Sequence, residues 1–216
     1  RKLKSRVHPL ACAKLKSIAI RFPKHKVLRS ILKNINFPLA IPSANIFSNI
    51  SPVCALDVYE EFKNKINLII NGGKSKIGIE STVIDLTNKP RILRPGAIGA
   101  LKIKKILKIK IYNSAKNSKI RSPGMLKKHY SPGIPVSINQ EKSDNRSAFI
   151  YIGNKYKKNK NFFSLSEVSN LSEAASNLYK TFRKIKKIGY KKIQIAKIPN
   201  KGMGVAINDR IKRASY

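Results

Sequence analysis

Residues Gly78-Ile79-Glu80-Ser81-Thr82-Val83-Ile84-Asp85-Leu86, followed after a turn by Pro90-Arg91-Ile92-Leu93-Arg94-Pro95-Gly96, set a hydroxyl, a carboxylate and an arginine beside short apolar runs. Val83 to Leu86 and Ile92-Leu93 read as strands, because β-branched side chains suit a pleated surface. Asn88 and Pro90 punctuate the turn between them. Arg94 stops against Pro95-Gly96, so its guanidinium is expected at a strand end rather than in a loop. Such a set can hold a polar, anionic ligand, and the same spacing also fits a surface hairpin with one stray arginine.

The rest of the chain bounds the possibilities. Its 216 residues suffice for one or two domains, and 42% hydrophobic content suffices for a core. No apolar run is long enough to span a bilayer, no signal-peptide pattern opens the chain, and a cytoplasmic location is expected. Cys12 and Cys54 stand in unrelated contexts and read as reduced thiols. The net charge is +36, from 46 Lys+Arg against 10 Asp+Glu. That field draws polyanions, RNA among them. The lysines are nevertheless spread over the whole chain, as in a general compositional bias.

In chain order, residues 17–23 alternate as a half-buried strand. Ser17 and Arg21, four apart, share one face. Residues 24–34 read as a helix with Val27, Leu28, Ile31 and Leu32 on one side. Residues 37–41 form an apolar strand ending at Pro42-Ser43-Ala44-Asn45, a loop that lets a ligand approach closely. Ser51-Pro52 opens a further helix, with serine as cap, proline in the first turn, and Ala55, Val58, Tyr59 and Phe62 as its buried stripe. Its N-terminus suits a phosphate.

Residues 66–70 read as a strand and Asn71-Gly72-Gly73 as a tight turn. Gly73-Lys74-Ser75 lacks the earlier glycine of a phosphate loop, since Leu68 stands there. Residues 97–111 form a basic amphipathic helix followed by a short strand. Residues 112–134 read as a linker. Strands at 135–138, 148–152 and 162–165 precede a helix capped by Ser169 or Ser172, with Leu171, Ala174, Ala175, Leu178, Phe182 and Ile185 on one face. A strand at 192–198 and a helix at 203–215 complete a small parallel α/β unit without a Gly-x-Gly-x-x-Gly fingerprint.

The stretch 78–86 with 93–96 resembles the motif of the YrdC-like threonylcarbamoyl-AMP synthases. Three further blocks carry the resemblance in the same order: Pro38 to Asn45 with Ser51-Pro52, the segment 122–132 with His129-Tyr130, and residues 202–214. The resemblance implies an α/β fold, with a YrdC-like twisted mixed sheet, present in part, over 1–111. A linker crosses the active site over 112–134, and a smaller Rossmann-like α/β domain covers 135–216. It implies synthesis of threonylcarbamoyl-AMP from L-threonine, bicarbonate and ATP with release of pyrophosphate. Partner transferase proteins then use the product to modify tRNA next to the anticodon.

By residue, the resemblance places Arg21, Ile41 and Ser81 at L-threonine. It places Ser17, Ser43, Asn45, Ser51, Arg94 and Val136 at ATP, with Mg2+ on the triphosphate. His129 and Tyr130 would close over the nucleotide. It implies no side-chain nucleophile and no protein-held metal. Ser48, Val53 and Asn71 depart from the residues usual in the family, and the blocks that carry the resemblance do not include its Lys-x-Arg motif. The chain is therefore expected to lack an N-terminal part and to be inactive alone. Two other readings fit the same residues: a basic RNA-binding module without chemistry, and a YrdC-like carbamoyl-transfer domain, which would bring zinc-finger segments where no Cys-x-x-Cys stands.

Overall fold

The computed structural model describes residues 8–13, 15–113, 125–156 and 159–216. The first sheet grows from the opening stretch. β1 (Val83–Asp85) pairs antiparallel with β2 (Arg91–Arg94), and β3 (Tyr112–Asn113) joins β2 in parallel. Asp85 Oδ1 accepts from the Thr87 N–H at 2.9 Å and the Thr87 hydroxyl at 2.6 Å, which turns the chain out of β1. Helices α1 (Lys26–Lys33), α2 (Ala55–Phe62) and α3 (Ala100–Leu107) accompany this sheet.

The second unit is a four-stranded, wholly parallel sheet of β4 (Val136–Gln140), β5 (Ala148–Tyr151), β6 (Phe162–Ser164) and β7 (Ile193–Ala196), in the order β4-β7-β5-β6. Ala148, Phe149, Ile150 and Ile193 are fully buried, as strands covered on both faces require. α4 (Leu171–Ile188) buries Ala174, Ala175, Leu178, Tyr179, Phe182 and Ile185 along one stripe and stops at Gly189 in the left-handed region. α5 (Met203–Ala214) packs against α4 and β4. One apolar cluster joins Ile50, Ile79 and Tyr130 to the side chains of α4, α5 and the second sheet, so the main core of the second unit reaches into the first. Among the described residues no helix is long and apolar enough to cross a membrane, and Cys12 and Cys54 are free thiols.

Several local expectations are corrected. Residues 17–23, 37–41 and 66–70 form no strands. A strand exists through the N–H and C=O groups of a neighbour, and among the described residues these segments have none. Their apolar side chains stand in water, Phe22 at 94% exposure and Leu68 at 77%. Ser51 does not cap α2, which begins at Ala55. Asp57 Oδ2 instead accepts from the Val53 N–H at 2.7 Å ahead of it. No residue of α2 is buried and Tyr59 is exposed. The cap of α4 is Asn170, not Ser169 or Ser172: its side-chain oxygen accepts from the N–H groups of Ser172 and Glu173. β3 lies inside the segment expected as linker, of which residues 114–124 fall outside the described residues.

Candidate functional site

Arg94 ends β2 and is buried, and its Nε donates to the Ser81 carbonyl at 3.1 Å. Thr82 Oγ1 donates to the Ile98 carbonyl at 2.8 Å and accepts from the Ile98 N–H at 3.2 Å. Gly96 presses on the Thr82 backbone so closely that a Cβ there would overlap it. The two halves of the opening stretch are thus stapled together, leaving Ser81 exposed at the start of β1. This is the arrangement expected of a hydroxyl and an arginine at strand ends.

Glu80 faces the other way, into the second unit. Arg210 of α5 donates from Nε to Glu80 Oε2 at 2.7 Å and from Nη2 to the Glu80 carbonyl at 3.2 Å. The Tyr179 hydroxyl of α4 lies 3.2 and 3.1 Å from the two carboxylate oxygens. Arg210 is completely buried, and its Nη1 donates to Asp209 Oδ2 at 2.7 Å. Gly78 makes this contact possible. Its φ is +77°, and a Cβ would stand 2.5 Å from the Ser176 Cα, so only glycine lets the stretch lie on α4.

The linker end joins the same cluster. Tyr130 is 1% exposed with φ +61°. Its ring stacks on Tyr179 with centroids 5.8 Å apart, and the Arg210 guanidinium lies 5.2 Å from its centre. The His129 N–H donates to the Arg213 carbonyl and the Ser131 N–H to the Ser48 carbonyl, so the segment touches both units. Arg183 of α4 donates to the carbonyls of Ser51 at 2.9 Å and Ile50 at 2.8 Å, with Asp57 at 3.6 Å.

The electrostatics follow from this packing. Burial alone would raise the Glu80 carboxyl, but the charge and hydrogen bond of Arg210 outweigh it and hold the group below the usual carboxylate range. Ser51 Oγ is buried facing that carboxylate without reaching hydrogen-bond geometry. Burial, then the Glu80 charge, push the Tyr179 hydroxyl well up and the Tyr130 hydroxyl up. Burial depresses His129, with Arg213, Arg94 and Arg210 adding to the effect against Glu80.

Of the expected site residues, the structure therefore gathers Ser51, His129 and Tyr130 around Glu80, with Ser81 and Arg94 at the strand end beside it. Asn45 is held by its Nδ2 to the Asn49 carbonyl at 3.1 Å, and its Oδ1 is buried without a partner. Arg21, Ile41 and Ser43 are exposed, Ser17 is half-buried, and the Val136 side chain packs in the core of the second unit. Sequence reasoning missed Glu80, Tyr179, Arg183 and Arg210. A signal existed: Glu80 is one of 10 acids facing 46 cations, and an acid inside an apolar run needs a buried counter-ion.

This is a two-unit α/β protein in which a small parallel unit clamps a hydroxyl-and-arginine strand end. A family model described as "Telomere recombination", covering Sua5, YciO and YrdC, matches residues 1–96. Another, described as "Threonylcarbamoyl-AMP synthase, C-terminal domain", matches residues 98–215. The chain belongs to the Sua5 family of threonylcarbamoyl-AMP synthases.

Curated relatives of that name occur in Pyrococcus abyssi, 32% identical over 93% of this chain and 64% of the relative, and in Schizosaccharomyces pombe, 36% identical over 66% and 38%. This chain thus spans less than two thirds of their lengths. The crystal structure of P. abyssi Sua5 complexed with L-threonine matches 97% of this chain and 67% of its own, at a TM-score of 0.82 and 31% identity. A P. abyssi Sua5 variant, with a histidine and the next tyrosine both replaced by alanine, matches 97% and 66% at a TM-score of 0.80 and 31% identity.

Proposed function

We propose that this chain acts in the synthesis of threonylcarbamoyl-AMP from L-threonine, bicarbonate and ATP, releasing pyrophosphate, for modification of tRNA adenosine next to the anticodon. The observation that carries this reading is the likeness, over 97% of the chain, to a Sua5 whose crystal structure holds L-threonine.

The threonine amine takes up carbon dioxide as a carbamate. A carbamate oxygen then attacks the α-phosphorus, the bond to the bridging oxygen breaks, and pyrophosphate leaves. No side-chain nucleophile is required, so the protein contributes positioning and charge. Arg21 is suited to the threonine carboxylate as a bidentate donor. The Ser81 hydroxyl and the Ile41 backbone complete that pocket. Arg94, fixed by its bond to Ser81, meets the nucleotide, with Ser17, Ser43, Asn45 and Ser51 around it. Asn45 Oδ1, buried and unpartnered, is one acceptor free for a ligand. His129 closes over the nucleotide, and Tyr130 anchors the segment beneath it. Val136, whose side chain is in the core, would contribute from its backbone.

Among the described residues no group of three or more His, Cys, Asp or Glu could hold a metal. Mg2+ would arrive with the nucleotide, carried on its triphosphate. The downstream transferase proteins, a weak tRNA contact and a cytoplasmic location complete the reading.

The test is calorimetry with L-threonine and ATP, with pyrophosphate release that requires both threonine and bicarbonate read beside it; the chain is expected to bind both substrates even where it does not turn them over. Binding of neither substrate overturns the reading. A second reading, an RNA-binding module, rests on the +36 charge. It expects tight tRNA binding that falls steeply with salt and ignores threonine.

A further inference from the structure

We propose that the second unit carries its own binding site for a nucleotide-sized phosphate ester, at the carboxyl ends of β4, β7 and β5 and separate from the threonine and ATP site. The topology makes a crevice there. β7 continues into α5, which packs over β4 on one side, whereas β5 continues to β6 on the other. Chains leaving adjacent parallel strands in opposite directions part at their carboxyl ends, and open α/β sheets bind ligands in that gap.

A cavity of about 500 Å³ occupies the gap, a size that suits a small organic ligand. Gln140 closes β4, Ile152 follows β5, Ala196 closes β7 and Lys197 follows it, and all four line the cavity. Its walls divide by chemistry. Ile152, Ala196 and the Tyr156 ring form an apolar side, and that ring is braced by Phe149 at 5.0 Å and Tyr151 at 5.3 Å. Lys142, Lys155 and Lys197 supply three cations from three different loops, against the single carboxylate of Glu141.

Three lysines lining one crevice repel one another, and an anion bound between them would relieve that repulsion. Among the described residues neither β4 nor β5 is followed directly by a helix, so no glycine-rich turn there leads into a helix N-terminus to place a phosphate. Lysines take its place as point charges. A ring to lie on the apolar wall, with phosphate toward the lysines, defines a mononucleotide or a phosphorylated ring compound of that size.

The experiment is a nuclear magnetic resonance titration of the isotopically labelled chain at physiological salt with AMP, ATP and inorganic triphosphate. The comparison is a K142Q/K155Q/K197Q variant and a K180Q/K187Q/K212Q variant of equal net charge. The expected result is localised shifts at Gln140, Ile152, Tyr156 and Lys197. Affinity should fall at least fivefold in the first variant and stay unchanged in the second. Shifts around Ser81 and Arg94 report the other site independently. Equal losses in both variants, or shifts without a focus on the crevice, overturn the proposal. So does binding by a single-stranded oligoribonucleotide where none of the three small anions binds.

Discussion

Arg210 Nε donates to Glu80 Oε2 at 2.7 Å while its Nη2 donates to the Glu80 carbonyl, so one buried guanidinium from α5 holds both the side chain and the backbone of the residue next to Ser81. The second unit is therefore part of what shapes the strand end that carries Ser81. Removing one partner of a buried pair leaves the other charge unsolvated. Arg210→Met is expected to cost about 3–5 kcal/mol in chemical denaturation. Adding Glu80→Gln to it is expected to recover part of that loss. An additive double variant would show that the two groups are not coupled.

Glu80 also sets an acid limit. Its folded pKa lies below the unfolded value, so its contribution is complete above about pH 4.5 and is lost as pH falls through the folded value. His129 acts in the same direction but higher up. Its folded pKa is depressed below 6.5, so the unfolded chain takes the proton first and stability declines as pH drops below about 6.5. Melting temperatures measured from pH 8 to pH 2 should fall in two stages. His129→Gln should remove the upper one and Glu80→Gln the lower.

The opening stretch was readable from its residues because both of its strands pair with each other, and local β-propensity then suffices. The small parallel unit was equally readable, since α4 and the strands around it carry their burial pattern in their own spacing. Residues 17–23, 37–41 and 66–70 have strand-like composition but no described pairing neighbour, and pairing is not a property of the segment itself. The Glu80–Arg210 contact spans 130 residues. No period or spacing encodes it, although both partners stood inside recognised blocks.

Gly78 should tolerate no side chain. At φ +77° an alanine is strained by about 1–3 kcal/mol even before its Cβ meets the Ser176 backbone. Gly78→Ala is expected to loosen the two units as well as lower the melting temperature. Limited proteolysis with the cut sites mapped by mass would report the loosening as faster cleavage near Gly78. Unchanged cleavage would mean that the close approach is dispensable.

Tyr130 behaves as an anchor, packed between Tyr179 and Arg210. Tyr130→Ala should cost about 3–5 kcal/mol, the range for emptying a buried aromatic site. His129→Ala should cost far less in denaturation and act mainly on ATP affinity in calorimetry. Equal stability losses in the two variants would remove the distinction between anchor and lid.

Arg21 is exposed and free to fork onto a carboxylate. Arg21→Ala should weaken L-threonine binding by about 1.5–3 kcal/mol, the range for hydrogen bonds to a charged group. The melting temperature should not change. Undiminished threonine affinity would move the carboxylate to another donor.

The order of synthesis gives the Arg210 clamp a further consequence. Chains emerge from the ribosome at roughly 5–20 residues per second, and domains fold as they appear. Glu80 therefore waits for a counter-ion made 130 residues later, exposed to water in the nascent chain. Until α5 leaves the exit tunnel, the Glu80 side of the strand end lacks its Arg210 hydrogen bonds and is held by the bonds of Ser81 to Arg94 and of Thr82 to Ile98. A translation product stopped before Arg210 would present that strand end unclamped, as a target for the proteases that clear unfinished proteins.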